Sequence, residues 1–138
     1  MFDSTASNNG ASTFCSAINC IDGRVQLPVI QYLTRWFHVD FVDIVSDTGP
    51  AGVLARYPDS DRAGSIYRRI DVSRDAHKSH GLAIVAHHDC AGNRRPFEGQ
   101  IEDLHASAAN LRRRYSGFPV LALWVGSDWT VEHVQDGT

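Results

Sequence analysis

Two stretches of the chain, Leu82 to Ala86 (LAIVA) and Val120 to Val125 (VLALWV), are apolar at every position. A strand with one wet face alternates apolar and polar residues, so unbroken runs belong to strands buried on both faces, as in a parallel sheet covered by helices. Parallel neighbours cannot be joined by a tight hairpin; a crossover, normally a helix, must lie between them.

The remaining sequence supplies those crossovers. Thr13 to Asn19 (TFCSAIN) reads as a first strand, stopped by the turn at Asp22-Gly23. Pro28 suits a first helical turn and is followed by Ile30, Leu33 and Phe37 at helical spacing. Phe41 to Val45 (FVDIV) is a second strand, closed by the turn-forming run Asp47-Thr48-Gly49-Pro50. A further helix from Asp61 puts Ile66, Ile70 and Ser73 on one face and Arg68, Arg69 and Arg74 toward water. After LAIVA and the loop Gly92 to Pro96, a third helix is marked by Ile101, Leu104, Ala108, Leu111 and Tyr115, which step by three and four. VLALWV is the last strong strand, with a weaker strand-like tail from Trp129 to Val134. The fold class expected is α/β: a single domain with a mainly parallel sheet of about four strands flanked by helices, and room for an extra edge strand at the C-terminus.

At 138 residues the chain holds one domain and no second. Residues 1–12, rich in Ser, Asn, Thr and Gly, are expected to be a flexible lead-in to a domain spanning 13–138. A net charge of -3 leaves no basic stripe for a phosphate backbone, which argues against nucleic acid as partner. The start, MFDSTASNNGAST, reads as neither secretory signal nor anchor, and no apolar stretch approaches the roughly 18 to 20 residues that cross a bilayer. A cytoplasmic protein acting on a small molecule is expected.

In open parallel sheets the loops at the C-terminal strand ends converge on a crevice. The first strand runs into Cys20-Ile21-Asp22-Gly23-Arg24 and the third into His87-His88-Asp89-Cys90, so both clusters fall at the same edge. Two thiols and an imidazole suit zinc, and three protein ligands leave the fourth position open for water or substrate unless Asp22 closes it. The bland alternatives are two small buried cysteines, or a dithiol that oxidises to a disulfide; Asp22 and Arg24 could equally form a salt bridge that only fixes a turn. Cys15, five residues before Cys20 in one strand, is placed on the opposite face by alternation and reads as core. His77, His80, His105 and His133 read as surface or helix-end residues, Arg112, Arg113 and Arg114 as a solvated basic run, and Gly92-Asn93 as a loop.

A Cys-x-Asp-x-Arg segment followed downstream by His-x-x-Cys, here Cys20, Asp22 and Arg24 and then His87 and Cys90, resembles the signature of the β-class carbonic anhydrases. Asp89 and Gly92 also fall where that family has similar residues, and the likeness runs from about Thr13 to Val134. One stretch departs: where members commonly carry Arg-Asn-Ala-Gly-Asn, this chain has Ser46-Asp47-Thr48-Gly49-Pro50 and keeps only the glycine.

The resemblance implies zinc on Cys20, His87 and Cys90, and reversible hydration of carbon dioxide by zinc-bound hydroxide, with Asp22 and Arg24 as the catalytic pair. Zinc with two thiolates and a neutral imidazole has no net charge, so it acidifies a water less than three neutral ligands would. Asp22 is then expected to hold and aim the hydroxide, and Arg24 to keep that carboxylate ionised and off the metal. His88 is a candidate proton relay. Rival readings keep the metal but change the substrate to carbonyl sulfide or carbon disulfide, or make the protein a non-catalytic zinc module. A homodimer or larger homo-oligomer is also implied, since members build the pocket partly from a neighbouring subunit.

Overall fold

The computed structural model describes residues 11–135; residues 1–10 of the expected lead-in and 136–138 of the expected domain lie outside the described residues. Strand β1 (Phe14–Cys20) is followed by a 3-10 turn (Gly23–Val25) and α1 (Gln26–Phe37), then β2 (Phe41–Asp47), α2 (Pro50–Arg56) and α3 (Asp61–Ala76). The chain continues with β3 (Leu82–His87), α4 (Phe97–Arg114), β4 (Val120–Val125) and a short β5 (Val131–His133). The five strands lie in the order β2-β1-β3-β4-β5. All pairings are parallel except that of β5 with β4, which is antiparallel. The α/β class, the parallel sheet and the C-terminal edge strand agree with the sequence reading. Among the described residues no helix is long and apolar enough to cross a membrane.

The unbroken apolar runs behave as their composition demands: every residue of β3 and β4 is buried. On one face, Val29 and Leu33 of α1 pack with Val25 against Ala17, Ala83, Val85 and Leu123. On the other, Leu54 of α2, Ile66 and Ile70 of α3 and Leu104 and Leu111 of α4 cover Ile18, Val45, Ile84 and Ala122. One helix therefore shields one side and three shield the other.

Helix α2 was not expected, because Gly49-Pro50 reads as a turn. Both readings are right in part. Gly49 is left-handed, with φ 58°, and Pro50 then opens a seven-residue helix. Proline is favoured there because its missing N–H is one that a helix start leaves unpaired anyway. Elsewhere the differences lie at boundaries: β1 reaches Cys20, β2 reaches Asp47, and α1 begins at Gln26.

The sheet order places the crevice. From β1 the chain steps outward to β2 and then returns past β1 to β3, so loops leaving β1 and β3 turn in opposite directions. Moreover, β1 pairs with β3 only from Ser16↔Leu82 to Ile18↔Ile84, whereas β1 stays paired with β2 through Cys20↔Asp47. The ends of β1 and β3 thus part, opening a gap whose two lips carry Cys20 and His87.

Candidate metal centre

Cys20 closes β1, His87 closes β3, and Cys90 follows a tight turn in which Asp89 is left-handed, with φ 57°. Their ligand atoms all lie within 4.8 Å of one another. All three side chains are buried, His87 completely. The two sulfurs are 3.9 Å apart. A disulfide needs about 2.05 Å. Two thiolates on one tetrahedral zinc, with bonds of about 2.3 Å, stand about 3.8 Å apart. The spacing fits a shared ion and not a covalent bridge, and all three cysteines are free thiols.

His87 is oriented for the same purpose. Its Nδ1 lies 2.7 Å from the backbone oxygen of His88. A carbonyl only accepts, so Nδ1 carries the proton, and Nε2 presents its lone pair toward the sulfurs. That Nε2 is buried with no hydrogen-bond partner. A buried polar atom left in this state costs about 1–3 kcal/mol unless something binds it. An ion accepting from Nε2 and both sulfurs would remove that cost, so the donor set fits the zinc that the motif implies.

The two sulfurs divide unequally, and one of them favours the thiolate. Hydrogen bonding from Cys90, aided by the backbone N–H groups of Gly49 and Asp22, holds Cys20 well below the usual thiol range despite its burial. The same pairing, together with burial, pushes Cys90 up, while the N–H groups of Gly92 and Asn93 work the other way. Cys15 differs. It is fully buried, and burial, with the negative charge of Asp43, pushes its thiol up to about 12. It is core, as expected, whereas Cys20 sits beside Gly49, Pro50 and Ala51 at the start of α2.

Asp22 and Arg24 are brought together beside this cluster. Asp22 caps the 3-10 turn by accepting from Arg24 N at 2.9 Å. The guanidinium grips the carboxylate with two donors, Nε to Oδ1 at 3.0 Å and Nη2 to Oδ2 at 2.7 Å. Hydrogen bonding from Arg24 brings the Asp22 carboxyl down to about 2. Asp22 Oδ2 stands 4.0 Å from His87 Nε2, at the rim of the cluster. Arg24 also reaches Asp89 Oδ2 at 3.4 Å and lies over the Trp129 ring at 4.4 Å, so three groups fix its position.

Several supporting residues were not singled out from sequence. Gln26 Nε2 ties down the carbonyls of Cys20 and Asp22, at 2.7 and 2.9 Å. Asp103, almost fully buried on α4, accepts from Asn93, Arg56 and Arg95 at 2.8, 2.6 and 2.6 Å, pinning the loop after Cys90. Gln100 lines the site from the same helix. The one available signal was that Gln100, Asp103 and Ser107 are polar residues on the buried stripe of α4. His88 is exposed and gives the site its carbonyl, while its ring leans on Trp129 at 6.3 Å. His77 lies elsewhere, paired with Asp43 at 2.7 Å and stacked on Phe14.

A polar cavity of about 420 Å³ opens on the cluster and is lined by Asp22, Arg24, Asp89, Cys90, Arg94 and Gln100 among others. Behind it, between Cys20, His87, Cys90 and the start of α2, the packing leaves no room for a water molecule. The cluster is therefore approached from one side only.

A parallel sheet split at its switch point, with two thiols and an imidazole across the split and a clamped Asp/Arg pair beside them, defines the class of the β-carbonic anhydrases. Solved structures share this fold. Over 93% of this chain and 83% of that chain it is similar to the tetrameric β-carbonic anhydrases of Sordaria macrospora, with TM-score 0.60 and 11% identity. It is similar to the β-carbonic anhydrase CafA of Aspergillus fumigatus over 91% of this chain and 77% of that chain, with TM-score 0.52 and 11% identity. A third likeness is to the β-carbonic anhydrase CcaA, with TM-score 0.60 and 10% identity over 93% of this chain and 79% of that chain. No curated protein matches in sequence. The model of the family described as "Putative carbonic anhydrase" matches residues 10–135, and the chain belongs to that family.

Proposed function

We propose that this protein binds zinc through Cys20, His87 and Cys90 and catalyses the reversible hydration of carbon dioxide to bicarbonate, with Asp22 and Arg24 as its catalytic pair. The observation that carries the reading is the buried, partnerless Nε2 of His87 facing two sulfurs 3.9 Å apart. Family membership and the shared fold support it.

Zinc held there supplies the Lewis acidity that brings the pKa of a water toward neutrality. The protein's own groups do the rest. Asp22, kept ionised by Arg24, accepts a hydrogen bond from the attacking water and turns its lone pair toward the carbon. Arg24, held by Asp22, Asp89 and Trp129, keeps that carboxylate from swinging onto the cluster. Arg24, Arg94 and Arg95 in the cavity wall suit an anionic product such as bicarbonate. Free thiols fit a reducing, cytoplasmic setting. Self-association belongs to the same proposal, since the Sordaria enzymes are tetrameric.

The test combines elemental analysis with stopped-flow hydration of carbon dioxide. Cys20→Ser and His87→Ala are expected to lose zinc. Asp22→Asn is expected to keep zinc while hydration falls by about a hundredfold or more. Retained hydration in Asp22→Asn refutes the role of the carboxylate, and wild-type protein purified without zinc refutes the metal assignment.

A further inference from the structure

Gln100 is 4% exposed, and its Oε1 has no hydrogen-bond partner. Its orientation is fixed, because Nε2 donates to the carbonyl of Arg95 at 3.3 Å and reversing the amide would set two oxygens against each other. The residue lines both the open cavity and the tight space behind the cysteines, so its side chain forms the wall where the cavity meets the cluster. An acceptor at that wall has no donor.

The same cavity holds a cation without an anion. Arg24 is taken up by Asp22 and Asp89, and Arg95 by Asp103 and Glu102. Arg94 also lines the cavity and is exposed, and it makes no ion pair among the described residues. The ligand that answers both needs is an anion that also carries a hydroxyl. Carbon dioxide offers neither charge nor donor, and nitrate or chloride offers charge alone.

We propose that Arg94 and Gln100 form an oxyanion subsite in which Arg94 pairs with the charged oxygens of bicarbonate while Gln100 Oε1 accepts its hydroxyl proton. This rests on the reading of the site as a carbon dioxide–bicarbonate centre. The two residues divide the work: Arg94 attracts any small anion to the mouth, and Gln100 selects the one that bears a proton. The clamp of Arg24 on Asp22 and Asp89 offsets one of the two negative charges that face the same space, and Arg94 supplies the second positive charge.

The experiment titrates zinc-loaded protein with ¹³C-bicarbonate, read by NMR line broadening, and with nitrate in parallel, and measures carbon dioxide hydration on the same samples. Gln100→Met is expected to weaken bicarbonate about tenfold, one hydrogen bond's worth, while nitrate affinity stays the same. Arg94→Gln, at an exposed position that folding does not depend on, is expected to weaken both anions. Unchanged bicarbonate affinity in a folded Gln100→Met, or equal losses for bicarbonate and nitrate, overturns the subsite. If wild type hydrates carbon dioxide and both variants bind bicarbonate normally, the subsite falls and the proposed function stands. If wild type neither hydrates nor binds, the function falls with it.

Discussion

Gly49 shows how much of the site depends on single positions. Its φ of 58° is left-handed, and a Cβ placed there would come within 2.6 Å of the carbonyl carbon and oxygen of Gly92. The loop after β2 and the loop after Cys90 therefore touch backbone to backbone, and the Gly49 N–H is left facing the Cys20 sulfur. Gly49→Ala adds conformational strain of about 1–3 kcal/mol to a backbone clash of similar size. The expected result is a loss of at least about 2 kcal/mol in urea denaturation, with lower zinc content, and a variant as stable as wild type would contradict this packing. Cys15 makes the opposite case. Fully buried, with a thiol raised to about 12, it is expected to resist iodoacetamide at pH 8 in native protein, whether or not a chelator has freed Cys20 and Cys90. Peptide mapping after labelling checks this, and native labelling of Cys15 would show that the sheet face is open there.

Among the elements, α4 carries more of the site than its apolar stripe announces. Asp103 joins Arg56 of α2, Asn93 of the loop after Cys90 and Arg95 at the mouth of the cavity, with its own side chain 3% exposed. Removing one partner of a buried ion pair leaves the others uncompensated, at a cost of about 3–5 kcal/mol. Asp103→Ala is expected to lose roughly that much in chemical denaturation, less for the half-exposed arginines, and to bind zinc more weakly as Asn93 releases its loop. A stable Asp103→Ala with unaltered zinc affinity would show that the loop holds itself. None of this could be read along the chain, because Asp103 and Arg56 are separated by 47 residues and meet only after α2 docks. Helix α2 was itself unreadable for a related reason. It has seven residues, and its first five, Pro50 to Leu54, are all buried, so it shows no amphipathic period and begins with a turn-like Gly-Pro. By contrast, β3 and β4 announce themselves through composition alone, and α1, α3 and α4 through period. The meeting of Cys20, His87 and Cys90 was legible because both clusters follow strands read as parallel. Gln100 was not, since a polar residue on a buried stripe acquires meaning only from the cavity it lines.

At the scale of the whole molecule the two faces of the sheet are unequal. Parallel sheets occur with both faces covered, yet here α2, α3 and α4 crowd one side while α1 stands alone on the other. On that thinner side Val42, Ile44 and Val131 are only partly buried, and near the crevice Ile21 and Leu27 are 63% and 61% exposed. Large apolar side chains left in water beside a functional cleft mark a contact surface. A chain of this size, which buries a smaller share of its surface than a larger domain, gains core by pairing. A second copy is the simplest partner, and an isologous pair would use this same surface on both chains. The prediction is that the protein in solution has at least twice the mass of one chain by light scattering at micromolar concentration. Leu27→Glu, at a site already exposed in the single chain, should shift it toward monomer with little change in the circular dichroism of the fold. A wild-type chain that stays monomeric, or a Leu27→Glu variant that assembles as before, would mean that this face needs no partner. The crevice between β1 and β3 would then have to be complete within one chain.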